Sequence, residues 1–263
     1  MRDLPYVYDV LQRLTSGGTT LEAETYEYDL QGNRLNSHLS ATHVTNDVDR
    51  LLEDDDFTYD YDANGNLVSK VNKTNLHQTS YTWSAEFRLT SITSANGSVV
   101  TYTYDALGRR IGKDVDGVIT TYIYDSEDIH LELDGAGAIT ARFAHGSGAD
   151  NPLSMTRSGV DYFYHLDHQG SVRQLTDAVG TVVNSYNYDS YCRLISSFET
   201  VSQPYGYTSR EQDALDAASI QLLGCKRCIH TSTDHCARPY RSCLLYTSPS
   251  PRDRTRSRMP SSA

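Results

Sequence analysis

The sequence predicts an all-β fold, a spiral antiparallel β-sheet built from hairpins, on three observations. A short motif, two tyrosines one residue apart followed by aspartate, recurs along the chain. Its lead aromatic residues lie at positions 6, 26, 59, 81, 102, 122, 162, 186 and 205, so most steps are close to 20 residues or to a multiple of it. Alternating side chains lead into each motif, and turn-forming residues follow it. A fixed period that is kept along most of the chain indicates a repeat architecture.

One period accounts for two strands and two turns. In the clearest copy, alternation places Val100, Tyr102 and Tyr104 on one face of a strand. Residues 105–108, Asp-Ala-Leu-Gly, then fit a type I turn, and a left-handed glycine would complete a three-residue hairpin loop with a bulge. Asp116-Gly117 predicts a two-residue hairpin at the other end of the next strand. Asn96-Gly97 is read as a second copy of that two-residue turn.

The residues of the motif are predicted to be structural, with the tyrosines packing one period on the next and the Asp and Gly residues turning the chain. This set is Tyr26, Tyr28, Asp29, Gly32, Tyr59, Tyr61, Asp62, Gly65, Tyr102, Tyr104, Asp105, Gly108, Arg109, Tyr122, Tyr124, Asp125, Asp167, Gly170, Tyr186, Tyr188 and Asp189. The 40-residue step is interpreted as two periods, and the copy of the motif between them, at residues 142–145, lacks both tyrosines.

Charge narrows the possible partners of the chain. Residues 1–220 hold 15 Lys and Arg against 32 Asp and Glu, whereas residues 221–263 hold 8 against 2. The acidic body argues against nucleic acid or an anionic membrane as its partner. No stretch reaches the roughly 18 to 20 apolar residues that a membrane-spanning helix needs, and the N-terminus has no signal peptide. Either the chain is not exported by itself or its true N-terminus is missing, and we expect the second.

Three groups of side chains in the body resemble chemical sites, and the pattern around each favours a structural interpretation. The acidic run at 53–56 is expected to be a solvated loop, with a cation site as the alternative. The cluster at 165–168, His-Leu-Asp-His, lies in a strand and turn, where neighbours point to opposite faces and do not converge on a metal. Cys192 replaces a turn glycine and is expected to be a structural thiol. No nucleophile with an oriented base appears, so we expect no catalytic, metal or cofactor-binding residues and no enzyme.

The motif Tyr-x-Tyr-Asp-x-x-Gly-Arg resembles the YD repeat of bacterial Rhs proteins, which is also found in the C component of insecticidal toxin complexes and in the teneurin shell. The run Tyr162–Tyr191 and the segment Pro204–Glu211 resemble the start of the Rhs-associated core. The resemblance implies a spiral sheet of YD-repeat hairpins that forms part of a hollow β-shell. It divides the chain into YD repeats at 1–161, the start of the core at 162–215 and an aberrant tail at 216–263.

The tail departs from the family pattern after residue 215. A shift of reading frame between residues 215 and 221 would recover that pattern, and the end from Ser248 resembles translated library adapter. We therefore expect an unstructured, non-native tail. The alternative is a zinc-binding effector in the tail, held by Cys225, Cys228, His230, His235, Cys236 and Cys243, although the spacing of the second cysteine pair is unusual for such a site.

The resemblance implies a non-catalytic structural section of a shell that encloses or presents a C-terminal toxin or effector of a longer parent. The parent is expected to be secreted or at the cell surface, and no cofactor is expected. The alternative is an adhesion module whose exposed tyrosines bind a glycan or a cell-surface receptor. About ten periods are expected to be too few to close a shell, so the sheet should be open, with unpaired edges.

Overall fold

The computed structural model describes residues 4–19, 22–148 and 150–211. These residues form twenty β-strands and a single 3-10 turn, Tyr207–Ser209. The strands are β1 (Val7–Tyr8), β2 (Leu14–Gly18), β3 (Ala23–Tyr28), β4 (Arg34–Ser37), β5 (Val44–Thr45), β6 (Leu51–Glu53), β7 (Phe57–Tyr61), β8 (Leu67–Asn72), β9 (Gln78–Trp83), β10 (Leu89–Thr93), β11 (Val99–Tyr104), β12 (Arg110–Val115), β13 (Val118–Asp125), β14 (Asp128–Asp134), β15 (Ile139–His145), β16 (Pro152–Arg157), β17 (Val160–Leu166), β18 (Val172–Asp177), β19 (Val182–Tyr188) and β20 (Leu194–Glu199).

The prediction of an all-β fold is confirmed. In the part of the chain that the structure describes, no helix has the length and apolar character needed to cross a bilayer. The predicted unstructured tail, the frame shift and the zinc alternative all concern residues outside the described ranges.

Strand pairing follows the order of the sequence. β1 to β4 form a four-stranded sheet, and β5 to β20 form a 16-stranded sheet in which each strand pairs with its neighbours in sequence. All of these pairs are antiparallel, so the chain advances by successive hairpins. Among the described strands, β5 and β20 are the two ends of the large sheet, which is therefore open as predicted. The expected division between residues 161 and 162 falls inside β17, and the sheet continues through it.

The first turn of the period has the predicted geometry. The Gly108 amide donates to the Asp105 carbonyl over 3.0 Å, the Asp105 amide donates to the Arg109 carbonyl over 3.0 Å, and Gly108 has a φ of +87°. The Asp105 carboxylate accepts from the Leu107 and Arg109 amides, both over 2.9 Å. The four residues from Asp105 to Gly108 therefore specify this reversal of the chain.

Two turns differ from the expectation. Asn96-Gly97 is not a two-residue hairpin, because the Gly97 amide donates to the Ser94 carbonyl in a turn like that at Asp105. Asp116-Gly117 does form the two-residue hairpin, since Val115 pairs with Val118. Asp125 lies at the end of β13 opposite Asp128, and the chain turns through two residues between them. Asp125 therefore does not hold the turn position that Asp105 holds.

A bulge accompanies nearly every period at the same place. The register shifts at the second aromatic position of the motif, next to the turn, where the strand is about to reverse. These shifts lie at Glu27/Tyr28, Asp60/Tyr61, Thr103/Tyr104, Ile123/Tyr124, Ala144/His145, His165/Leu166 and Asn187/Tyr188. A bulge bends a strand and increases its local twist. Bulges that repeat along one edge therefore bend the sheet progressively.

The two faces of the large sheet differ in character. The first aromatic residues of the periods are buried on one face, here called the tyrosine face, which is defined by Tyr59, Tyr81, Tyr102, Tyr122, Phe143, Tyr164 and Tyr186. In β17 this position belongs to Tyr164 and not to the predicted Tyr162, which is half-buried. Phe143 belongs to the copy of the motif at 142–145 that lacks tyrosines, and it occupies the position of the first tyrosine. The opposite face, here called the threonine face, is defined by Thr82, Thr101, Thr103, Thr121 and Phe163 and is exposed. The core is thus a layer of rings along one side of the sheet.

Two glycines that share one backbone geometry are predicted to respond differently to alanine. Gly65 and Gly97 both have a φ of +87°, but a Cβ at Gly65 would meet the Arg50 Nη2 at 2.6 Å, while a Cβ at Gly97 has no atom within 4 Å. Gly97→Ala should lower the free energy of unfolding by about 1 kcal/mol through left-handed strain alone. Gly65→Ala should lower it by a further ~0.5 kcal/mol, measured by urea denaturation, because the Arg50 side chain must move away from the Tyr61 ring. Equal losses would contradict the close packing of Arg50 in this turn.

Candidate functional surface

The second aromatic residue of each period is bonded to the hairpin before it. In five periods its hydroxyl or indole N–H donates to the carbonyl five residues after the start of the preceding turn, over 2.7 to 2.9 Å. The donor and acceptor pairs are Tyr28 and Leu14, Tyr61 and Leu51, Trp83 and Leu67, Tyr104 and Leu89, and Tyr124 and Arg110. Trp83 takes the role of tyrosine because its N–H is also a donor at the end of an aromatic ring. These five periods are thus each bonded to the hairpin before them.

Arginines reinforce these bonds. The guanidinium carbon of Arg88 lies 5.8 Å from the centre of the Tyr104 ring, and its Nη1 donates to the Asp105 carbonyl over 3.2 Å. The other pairs of this kind are Arg13 with Tyr28, Arg50 with Tyr61, and Arg109 with Tyr124, at 4.9 to 5.8 Å. A cation above an aromatic ring contributes about 0.5 to 1 kcal/mol at partly exposed sites.

Of these arginines, Arg109 was predicted from the sequence, whereas Arg13, Arg50 and Arg88 were not. The signal was present, because each arginine stands four residues after the first residue of its turn. Those first residues are Asp9, Asn46, Ser84 and Asp105. Asp105 was predicted to start a turn, whereas Asn46 and Ser84 were not assigned to one. The partner of each arginine lies in the next period, which the local pattern does not reveal.

The aspartates of the motif act on the backbone. Partial desolvation raises the pKa of Asp105, but hydrogen bonds from the Arg109 side chain and from nearby amides outweigh it and hold that pKa below 3.8. Asp29, Asp62, Asp167 and Asp189 accept from amides of their own turns in the same manner. Gly32, Gly65 and Gly170 have positive φ in these turns, and Cys192 takes the glycine position after Asp189 with a φ of +70°. These carboxylates are occupied by backbone amides, so they are not arranged as a catalytic pair.

The other candidate clusters do not assemble into chemical sites. In the acidic run, Asp54 accepts from the Tyr59 hydroxyl over 2.7 Å, and Lys73 donates to Glu53 over 2.7 Å. His165 bonds Thr176 on the threonine face, whereas Asp167 caps its turn. Within the described ranges, no group of three His, Cys, Asp or Glu residues could hold a metal ion.

A C-terminal stretch, here called the crossing segment (residues 200–211), runs over the tyrosine face. The Tyr205 ring packs edge-on against Phe143, His145 and Tyr164 at 5.6 to 5.8 Å. At its end, Glu211 accepts from the Arg110 Nε over 2.9 Å and from the Tyr124 hydroxyl over 3.0 Å. The crossing segment therefore spans the strands between β12 and β19 on that side of the sheet.

A second long-range contact, here called the seam, joins the first hairpins to the turn between β19 and β20. The seam consists of Glu24, Tyr26, Tyr28 and Arg34 on one side and Asp189, Ser190 and Tyr191 on the other. The Tyr191 ring lies 4.7 Å from the Tyr26 ring, beneath the Arg34 guanidinium at 4.3 Å, and its hydroxyl contacts that of Tyr28. The tyrosines of β3 that meet this turn correspond to those of the tyrosine face. The last hairpin thus reaches back to the first ones, which requires a sheet that curves towards its tyrosine face.

The burial of these rings bears on glycan binding. Tyr81, Tyr102 and Tyr186 are all 5% exposed or less, because they pack on each other and on neighbouring strands. A sugar needs an exposed ring face for stacking, so these tyrosines offer no platform for one.

A family model matches most of the chain. The model described as the teneurin YD-shell covers residues 2–217. The chain belongs to this family. The expected resemblance to Rhs and YD-repeat proteins is therefore confirmed, on the same residues that carry the ties between periods.

Curated relatives add a finding about activity. The chain is 30% identical over 210 residues to the tRNA3(Ser)-specific nuclease WapA of Bacillus spizizenii, which matches 74% of this chain and 9% of the relative. It is also 30% identical over 210 residues to the tRNA nuclease WapA of Bacillus subtilis, with the same coverage. The expectation that the protein is not an enzyme is wrong on this finding, because these relatives are named as nucleases. The chain spans about 9% of their length.

Solved structures of toxin complexes are also similar. The Photorhabdus luminescens Tc holotoxin pore matches 80% of this chain and 16% of the matched chain, with a TM-score of 0.40 and 15% identity. A crystal structure of TcdB2-TccC3 matches 79% of this chain and 16% of the matched chain, with a TM-score of 0.37 and 15% identity.

Removing one hydroxyl should show what a tie between periods contributes. Tyr104→Phe deletes the donor to the Leu89 carbonyl while keeping the ring, so we expect a loss of about 1 kcal/mol in the free energy of unfolding. Tyr162→Phe is the matched control, since its hydroxyl bonds no other residue in the described part of the chain and its loss should be close to zero. Urea denaturation of both variants measures the difference. Identical stabilities would contradict the role given to the Tyr104 hydroxyl.

Proposed function

We propose that this chain is a section of the wall of a shell, and that the wall belongs to a longer, exported protein whose C-terminal effector it surrounds or presents. The observation that carries the proposal is the placement of the crossing segment and the seam, both of which contact the tyrosine side of the sheet. A sheet that curves towards one face creates an inside and an outside. We take the tyrosine face as the inside.

The direction of the chain supports this assignment. Glu211, at the end of the described residues, is held on the tyrosine face by Arg110 and Tyr124. In this proposal, the link to an effector begins on the inner side of the curved sheet. A C-terminal effector would therefore enter the enclosed space without passing through the wall.

The ties between periods support a containing role. Four periods are bonded to the previous hairpin by both a tyrosine hydroxyl and an arginine, so these parts of the wall are cross-linked along the direction in which it grows. Such a wall resists local opening, because separating two hairpins breaks these bonds as well as the strand ladder. A container for a harmful polypeptide needs this property.

We propose further that the effector of the longer protein is an enzyme of the nuclease class. The support is that the curated relatives are named tRNA nucleases and that this chain matches only 9% of their length. The division into repeats at 1–161 and the start of a closing core at 162–215 belongs to the same proposal. In it, the crossing segment is the first part of the chain to leave the wall.

Neighbouring residues on opposite faces give a direct test. Tyr162 and Phe163 are adjacent in β17, and their side chains lie on the tyrosine and threonine faces. In the longer protein, with its other cysteines replaced by serine, Phe163→Cys should react quickly with a maleimide on a bulky polyethylene glycol. Tyr162→Cys should be protected by at least tenfold, because a closed wall excludes the polymer.

The same two variants in the present 263-residue chain are the control, since an open sheet should let both thiols react. Equal labelling of the two positions in the longer protein would contradict a closed wall. Protection of position 163 instead of 162 would place the effector on the threonine face.

A further inference from the structure

The seam buries two carboxylates that come from opposite ends of the described chain. Glu24 is 4% exposed and Asp189 is 5% exposed. Glu24 accepts from the Ser190 amide across the seam, at 3.1 and 3.2 Å to its two oxygens, and from the Tyr26 hydroxyl at 2.8 Å. Asp189 accepts from the amides of Tyr191 and Arg193, at 2.9 and 2.8 Å. Two acidic groups are thus enclosed on either side of one peptide.

Arg34 lowers the pKa of Asp189, but burial and the charge of Glu24 outweigh it. The titratable and charged residues on the two sides of the seam are Glu22, Glu24, Tyr26, Tyr28, Arg34 and His38 from the first hairpins, and Tyr191, Cys192 and Arg193 from the turn of Asp189 itself. Arg34 is engaged over the Tyr191 ring. An ionised carboxylate that is removed from water beside a second carboxylate is destabilised unless it is fully paired.

We propose that the seam is a proton-dependent joint, which closes more firmly when Asp189 is protonated and loosens when Asp189 ionises. The geometry supplies the switch, because opening the seam exposes Asp189 to water and separates it from Glu24. The joint concerns contacts within this chain alone, so it goes beyond the proposed shell and does not depend on it. Within such a shell, the wall would be firmer in mildly acidic surroundings than at neutral pH.

The direction follows from linkage. Burial, followed by the nearby charge of Glu24, raises the pKa of Asp189 to about 6 in the closed joint, against 3.8 for an unperturbed carboxyl. A group whose pKa is higher in the closed form stabilises that form below both values, and the stabilisation is lost as the pH rises through about 6. Between about pH 5 and pH 7.5, the closing equilibrium should fall by roughly tenfold.

His38 acts in the opposite sense and needs a control. Burial lowers the pKa of His38, so acid would protonate it only at a cost to the closed seam. Its ring also packs edge-on against Tyr26 at 5.5 Å. The contribution of Asp189 is therefore isolated by comparing proteins that all retain His38.

Hydrogen exchange of the Ser190 amide measures the joint directly, since this amide donates across the seam to Glu24. Its protection factor, corrected for the intrinsic exchange rate at each pH, should fall by roughly tenfold between about pH 5 and pH 7.5 in the wild-type chain. Asp189→Asn keeps an acceptor for the turn amides and removes the ionisation, so its profile should be flat. Asp177→Asn is the matched control, because Asp177 caps a similar turn through the amides of Val179 and Thr181. It should behave like the wild type.

A flat wild-type profile, or the same fall in Asp189→Asn, would overturn the proposal. Should Asp189→Asn fail to fold, Glu24→Gln provides the second variant, because it removes the neighbouring charge. The fall in Ser190 protection should then be smaller than in the wild type, and an unchanged fall would count against the joint. The two proposals fail separately. If Ser190 protection falls as expected but positions 162 and 163 label equally in the longer protein, the joint stands and the proposed shell is contradicted.

Discussion

The structure depends on one repeated interaction, the bond from the second aromatic residue of a period to a carbonyl of the preceding hairpin. The large sheet has no second sheet packed upon it among the described residues, so it lacks the two-layer core on which most domains rely. Its rings instead lie along one face, and the hydroxyls of second aromatic residues such as Tyr61 and Tyr104 bond the preceding hairpin. An arginine from the previous turn covers the same ring. A half-buried ring, a hydrogen bond and a cation therefore coincide at Tyr28, Tyr61, Tyr104 and Tyr124.

The sequence predicted whatever four to eight consecutive residues determine. Asp105 to Gly108 carry their own turn chemistry, and the alternation around Tyr102 assigns its face, so hairpins, antiparallel order and the buried ring layer could be foreseen. Asp125 was misassigned because its strand continues one residue further, to a two-residue turn without glycine. The same Tyr-x-Tyr-Asp sequence is thus followed by a different type of turn at Asp125 than at Asp105.

The long-range contacts were beyond the reach of the sequence. The partner of Glu24 is the Ser190 amide, and the partner of Arg110 is Glu211. Both pairs depend on curvature that accumulates over many strands, with one bulge in nearly every period. A small change in bend at each bulge would move the last hairpin away from the first. This curvature also decides which face can enclose a polypeptide, and it connects the wall chemistry to the proposed function.

A double-mutant cycle on Arg88 and Tyr104 tests the central claim that adjacent periods are tied through this ring. Arg88→Met and Tyr104→Leu each remove one partner while keeping an apolar side chain, and the free energy of unfolding is measured for both variants and their combination. The account predicts a coupling energy of about 0.5 to 1 kcal/mol, because the two side chains interact across the boundary between hairpins. Additive losses, with no coupling, would contradict it.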